Sequence, residues 1–275
     1  MLRYEQVLVR GALNHAIRDY AQITGDGGVS KALMPRPGAS LAISLRGSYS
    51  LGSKPVPAAA ILGIKQNAIR MDAAPAVTDR IHVHFLPCGL SRFAVVPMQR
   101  FAAGVVPAEE IFPARELARL VSALSDSPTL EERGRILDAF FSRFMRVPSR
   151  SEHAVEAIAN GILEASEVPL SELLRSAPFG VRQVERIFQH LTGVSPRVLA
   201  GIARFDRARN GVLARSGRAL SDIGLDAGYY DQAHFIREFR RHAAMSPGSY
   251  SFCALPASRS AGAPQRSFPA RSQVT

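Results

Sequence analysis

The run Ile81-His82-Val83-His84-Phe85 alternates strictly, with three apolar side chains on one face and two imidazoles on the other. That is the period-two pattern of a strand. Ser40 to Leu45 alternates in the same way until Arg46-Gly47-Ser48 breaks it. Pro35-Arg36-Pro37-Gly38, Lys54-Pro55-Val56-Pro57 and Pro87-Cys88-Gly89 punctuate the runs as turns. Residues 1–110 therefore predict short antiparallel strands. The period then changes. Leu117, Leu120, Val121 and Leu124 fall at i, i+3, i+4 and i+7, one stripe of a helix. Ser127-Pro128 predicts the start of a second helix, with Ser127 as N-cap, Pro128 at its first position, and Glu131 and Glu132 in the first turn. Ile136, Leu137, Phe140, Phe141 and Phe144 supply its apolar face. Such a helical hairpin packs on the sheet or forms a dimer seam. Pro148-Ser149-Arg150-Ser151 reads as a boundary, and residues 152–252 read as helical throughout. The expected organisation is α+β, with a β domain and helical hairpin over 1–147 and an all-α domain over 152–252. A tail over 256–275, rich in Ala, Ser, Pro and Arg, has little to bury and is expected to be disordered.

The helical half repeats itself. Leu170-Ser171-Glu172-Leu173-Leu174, Arg186-Ile187-Phe188 and Val194-Ser195-Pro196 recur as Leu220-Ser221-Asp222-Ile223-Gly224, Arg237-Glu238-Phe239 and Met245-Ser246-Pro247. The offset moves from 50 to 51 residues, so a single insertion reconciles the copies. Each copy reads as a short helix opening at a Ser, a turn containing Gly (Pro178-Phe179-Gly180; Ala227-Gly228-Tyr229), and a longer basic helix. This is the plan of a helix-turn-helix, whose second helix fits a major groove about 12 Å wide.

Periodicity separates the faces of those second helices. Val184, Ile187, Phe188 and Leu191 form the inward stripe of the first, leaving Arg182, Gln183, Glu185, Arg186 and Gln189 outside. Phe235, Ile236 and Phe239 do the same in the second, leaving Gln232, His234, Arg237, Arg240 and Arg241. Arg suits guanine O6/N7 and phosphate, and Gln suits adenine. Arg182, Gln183, Glu185, Arg186, Gln232, His234, Arg237 and Arg240 are the candidate DNA-reading residues. Asp231 sits where an N-cap belongs. A connecting helix from the N-cap Ser195 carries Arg204, Arg207 and Arg209, which are expected to make a mix of solvent and phosphate contacts. About 16 residues of it span roughly 24 Å, which places the two basic helices about one DNA turn apart, ~34 Å.

These residues, above all Asp222-Ile223, Gly228-Tyr229-Tyr230-Asp231-Gln232-Ala233-His234-Phe235, Arg237-Glu238-Phe239-Arg240-Arg241 and Ser246-Pro247, together with Arg182 to Phe188 and Thr192 to Pro196, resemble the AraC/XylS transcription-regulator DNA-binding domain. The resemblance covers about residues 153–252. It implies a seven-helix domain with two helix-turn-helix units behind an N-terminal effector or dimerisation domain. Gly180 departs from the family's usual Ser, Gly224 from Ala, and Ala244 from Gly. Pro37 to Ser40 and Phe85 to Gly89 are similar to AraC-type sensor domains, which implies a cupin-like N-terminal fold. The implied partners are promoter or operator double-stranded DNA, an unidentified small effector, RNA polymerase, and a second copy of the chain as a homodimer.

Composition adds charge. The 275 residues carry +11 at pH 7, and of 34 basic residues only Lys31, Lys54 and Lys65 are lysines. The excess is spread along the chain, +7 over 1–150 and +5 over 170–252, so it favours a polyanionic partner without locating it. Two distant cysteines, Cys88 and Cys253, exclude a disulfide scaffold and a thiolate zinc site. No segment is long enough for a membrane helix and no signal peptide is visible, so a cytoplasmic address is expected.

Other residues with chemical potential lack the partners that would make a site. His82 and His84 have metal-like spacing, but no third ligand follows; polar strand residues lining a pocket or facing water, within reach of an effector, fit better. Cys88 precedes Gly89-Leu90, with no base beside it to activate a thiolate. No phosphate loop or nucleophile elbow is present. The expectation is a transcription regulator with no enzymatic activity, metal or cofactor. The alternative is a metal-dependent or small-molecule cupin-like enzyme fused to a DNA-binding domain.

Overall fold

The computed structural model describes residues 2–26, 31–73, 77–102, 104–164, 168–214 and 218–253; the expected tail over 256–275 lies outside them. The N-terminal half is built on two antiparallel sheets. Strands β1 (Leu2–Leu8), β2 (Ile17–Gly25), β4 (Ser40–Arg46), β7 (Ala59–Leu62), β9 (Thr78–Phe85) and β10 (Val105–Pro107) form one, in the order β1-β2-β9-β4-β7-β10. Strands β3 (Lys31–Leu33), β5 (Tyr49–Leu51), β6 (Lys54–Pro55) and β8 (Ile69–Ala73) form the other, in the order β3-β8-β5-β6. β9 lies in the middle of the larger sheet. Its His82 is paired in register with Ala21 and Ala42, and its His84 with Asp19 and Ser40.

The alternation of β9 sorts its side chains as expected. Ile81, Val83 and Phe85 enter an apolar core with helices α1 (Ala114–Asp126) and α2 (Leu130–Phe144). Leu117, Leu120 and Leu124 of α1 and Leu137, Phe140 and Phe141 of α2 close that core. Phe85, Phe93, Phe112 and Phe141 meet there at ring distances of 5.1–6.3 Å. The helical hairpin therefore packs on the sheet. Its second cap is not at Ser127. Thr129 accepts the amide of Glu132 (3.2 Å) and the helix begins at Leu130, whereas Ser127 closes α1 by donating to the Ala123 carbonyl (2.9 Å). Pro128 separates the two helices and leaves the capping position to the next hydroxyl residue.

The helical half comprises α3 (Arg150–Glu164), α4 (Leu170–Arg175), α5 (Val181–Thr192), α6 (Pro196–Leu213), α7 (Leu220–Asp226), α8 (Gln232–Ala243) and α9 (Pro247–Cys253). It has two cores. Val155, Ile158, Ile162, Val184, Phe188, Leu191, Leu199 and Ile202 build the first, which also takes in Ile64 and Cys88 from the sheet half. Phe205, Ala208, Val212, Ile223, Tyr229, Phe235 and Phe239 build the second. Neither short helix is capped by its Ser. Pro169 and Ala219 hold the N-cap positions of α4 and α7.

The junction is held by a capping box. Ser149 Oγ accepts the Glu152 amide (3.2 Å), and Glu152 accepts the Ser149 amide (2.7 Å) and two contacts from Arg146 (2.7 and 3.0 Å). Arg146 in turn donates to the Ser91 carbonyl (2.7 Å), and Arg92 meets Glu156 (3.3 Å). The hydrogen bond from Arg146 holds the Glu152 carboxyl down at about 2. Its stabilisation is thus fully present above the usual Glu value and is lost as pH falls towards 2. Glu152→Gln is expected to lower stability by about 2 kcal/mol at pH 7, with the difference from the parent shrinking below pH 4 in denaturant titrations.

Candidate nucleic-acid interface

Each copy of the repeat folds as a short helix, a turn and a 12-residue helix, α4–α5 and α7–α8. In α5, Val184, Phe188 and Leu191 are buried and Ile187 is half-buried; Arg182, Gln183, Glu185, Arg186 and Gln189 are exposed. In α8, Phe235 and Phe239 are buried and Ile236 is half-buried; Gln232, Arg237, Arg240 and Arg241 are exposed. His234 is half-buried, its ring set edge-on to Tyr229 at 5.4 Å. Among the described residues none of Arg182, Arg186, Arg237 and Arg240 takes part in an ion pair, whereas Arg241 is held by Glu238 (2.9 Å). Four guanidinium groups thus stand on the outer faces of the two long helices with their charge unneutralised by the protein.

The helix starts are set locally. Asp231 caps α8 by accepting the His234 amide (2.7 Å). Gly180 opens α5 without a side-chain cap, the consequence of Gly where Ser is usual. Tyr230, 88% exposed, stands next to the α8 cap. Helical periodicity passed over it because it belongs to the turn; a large aromatic residue directly before an N-cap was the signal available.

The two other glycine departures have opposite physical effects. A Cβ at Gly224 would lie 3.0 Å from Phe235, so glycine lets α7 and α8 approach closely. Gly193 and Ala244 occupy equivalent C-terminal positions 51 residues apart, and both are left-handed, with φ of 78° and 58°. Gly adopts this conformation freely and Ala does not.

Helix α6 corrects the expectation for its arginines. Arg209 is buried and ion-paired to Asp206 (2.6 Å). Arg207 donates to the carbonyls of Leu163 (3.2 Å) and Ala227 (3.4 Å), and Arg204 lies half-buried against Gly228. Arg207 thus ties α6 to α3 and to the turn before α8, and Arg209 is taken up by Asp206 within the helix, so neither is free for phosphates. Its 18 residues span about 27 Å. Ser195 caps it through the Val198 amide (3.3 Å), with Pro196 first in the helix.

His82 and His84 do not face water. Both are buried and stacked, with ring centres 5.8 Å apart. Burial and the Arg36 charge push the His84 imidazole down to about 4, so at neutral pH it is uncharged and donates Nδ1–H to Asp19 (2.5 Å). Arg18 also meets Asp19 (2.9 Å). His84, Arg18 and Arg36 line a small cavity of about 10 Å3, closed on the helical side by Leu163. That is room for about one water. Among the described residues no three His, Cys, Asp or Glu side chains are grouped to hold a metal. Cys88 is buried, and burial pushes its thiol well above the usual range. No described helix is long and apolar enough to cross a membrane.

Residues 173–251 match a family model described as a helix-turn-helix domain. No curated protein matches the chain. Among solved structures, ToxT from Vibrio cholerae is 10% identical, covering 91% of this chain and 98% of ToxT, with a TM-score of 0.47. ToxT from Vibrio cholerae O395 bound to (E)-4-(8-methylnaphthalen-1-yl)but-3-enoic acid gives 9% identity, coverage of 92% and 98%, and a TM-score of 0.49. The xylose-binding transcription activator XylR gives 12% identity over 44% of this chain and 37% of its own, with a TM-score of 0.32.

Restoring glycine at the strained α8 terminus should stabilise the fold. Ala244→Gly is expected to add about 0.5–1 kcal/mol, because relief of the left-handed Ala exceeds the entropy Gly gains in the unfolded chain. Thermal melts of the two proteins check this.

Proposed function

We propose that this chain is an AraC-type DNA-binding regulator that reads two successive major grooves of one operator with α5 and α8; the match of residues 173–251 to a helix-turn-helix domain supports this. One observation carries the reading: the same fold unit occurs twice, and in both copies the longer helix buries its apolar stripe and leaves unpaired arginines outside. Arg182, Gln183, Glu185 and Arg186 are assigned to one half-site, and Gln232, His234, Arg237 and Arg240 to the other. Arg and Gln read base edges, while Glu185 orients the guanidinium of Arg186. Tyr230, beside the α8 N-terminus, meets the phosphate backbone. The protein acts in the cytoplasm as a regulator and not as an enzyme, with RNA polymerase and a second copy of the chain as further partners.

The proposed organisation is an effector-binding and dimerisation domain over 1–147 and a DNA-binding domain over 152–252. A small effector is assigned to the polar inner face of β9, where His84, Arg18 and Arg36 line the cavity and His82 stacks on His84. Its size requires these side chains to move, so binding shifts the sheet against the helical half and changes operator occupancy. Ligand-dependent melting shifts of the full-length protein, abolished by His84→Ala, test this site. Shifts unchanged in His84→Ala contradict it.

Arg186→Ala and Arg237→Ala are each expected to weaken operator binding by about 1–3 kcal/mol while the melting temperature stays near the parent's. Affinity should also fall steeply with salt. The double variant binding as tightly as the parent in titrations at fixed salt refutes the assignment.

A further inference from the structure

The C-terminal ends of both reading helices rest on the sheet half, at two places that are themselves tied together. At α8, carbonyls left without intrahelical partners are met by the segment after β7. The Ala68 amide donates to the His242 carbonyl (2.7 Å), and the Asn67 side-chain amide, turned so that its nitrogen faces the carbonyls around it, donates to the Arg241 carbonyl (3.0 Å). The His242 ring, 2% exposed and packed on Phe205 at 5.1 Å, donates Nδ1–H to the Gln66 carbonyl (2.5 Å). At α5, the terminal Gly193 lies against the turn Met98–Phe101: a Cβ there would sit 2.8 Å from the Met98 carbonyl oxygen. Ile64 enters the same core as Phe188 and Leu191 of α5.

The two docking segments are neighbours because β7 and β10 pair, Leu62 opposite Val105. Lys65 joins them, donating to the carbonyls of Ala102 (2.6 Å) and Phe101 (3.4 Å). Gly63 admits the close approach, since a Cβ there would lie 2.4 Å from the Phe101 oxygen.

We infer that residues 63–68 and the turn around 98–102, tied through Lys65, form a bracket that grips the ends of both reading helices and sets the spacing of the two half-sites they accept. The inference rests on the two-groove reading above. It makes Lys65, Gln66, Asn67 and His242 positioning residues for DNA recognition, although the first three lie far from the reading helices in sequence. It also gives the sheet a direct mechanical route to DNA: β9, with its histidines, pairs with β4, β4 with β7, and β7 with β10.

The test uses the full-length protein and an operator selected by it from random duplexes. Affinity is measured for that operator, for versions with one or two base pairs inserted between the half-sites, and for a single half-site. The parent is expected to lose about tenfold on insertion, and Lys65→Met/Asn67→Ala only about threefold or less, with single half-site binding unchanged. Asn67→Ala alone, at an exposed residue, should give an intermediate loss. A full tenfold penalty retained in the double variant, or no penalty in the parent, overturns the bracket while leaving DNA reading in place. A parent that selects no sequence overturns both.

Discussion

Helix α6 belongs to both cores of the helical half, and the arrangement of the two helix-turn-helix units depends on that sharing. Leu199, Ile202 and Ala203 belong to the core of the first unit, and Phe205, Ala208 and Val212 to the core of the second. A helix shared by two cores cannot turn about its axis without unpacking one of them. Its polar groups reinforce the constraint. Asp206 and Arg209 pair within the helix, and Arg207 reaches carbonyls of α3 and of the α7–α8 turn. The separation of the units is therefore a property of packing and not of a loose linker.

The bracket from the sheet half acts on the same spacing from outside. Where α6 fixes the units along one line, residues 63–68 and 98–102 fix the far ends of α5 and α8. Both constraints are needed to define a pair of helices in space, since one shared axis leaves each unit free to tilt. Burial of Ile64 and Cys88 with α3, α5 and α6 means that the sheet half contributes to the stability of the first unit. The Arg146–Glu152–Ser149 and Arg92–Glu156 contacts bind the start of α3 to the loop after β9. The sheet half thus meets the helical half at the bracket, at the Ile64 and Cys88 core and at the start of α3.

Much of this was legible in the sequence for identifiable reasons. The repeat was visible because each unit has the same packing problem and solves it with the same residue types 51 positions apart. The strand of His82 and His84 was visible because alternation is local. Other features depended on long-range contacts. Ser127 and Thr129 are both good caps, and only the geometry around Pro128 chooses between them. Arg207 and Arg209 read as a mix of solvent and phosphate contacts because arginine usually lies at the surface. The available signal was that apolar residues of α6 lie on all its sides, from Leu199 through Phe205 to Val212. Burial of His84 follows from Asp19 across the sheet, and the docking of His242 on Gln66 joins residues 176 positions apart. No period in the sequence reports either.

A chain that enters two consecutive major grooves on one face of a duplex covers guanine N7 atoms in both. Guanine N7 methylation interference on a selected operator reads this directly, since N7 lies in the major groove. Two patches of interference are expected about one helical turn, roughly 10 base pairs, apart on the same face, with Arg186→Ala erasing one patch and Arg237→Ala the other. A single patch, or interference confined to adenine N3 in the minor groove, contradicts the two-groove reading.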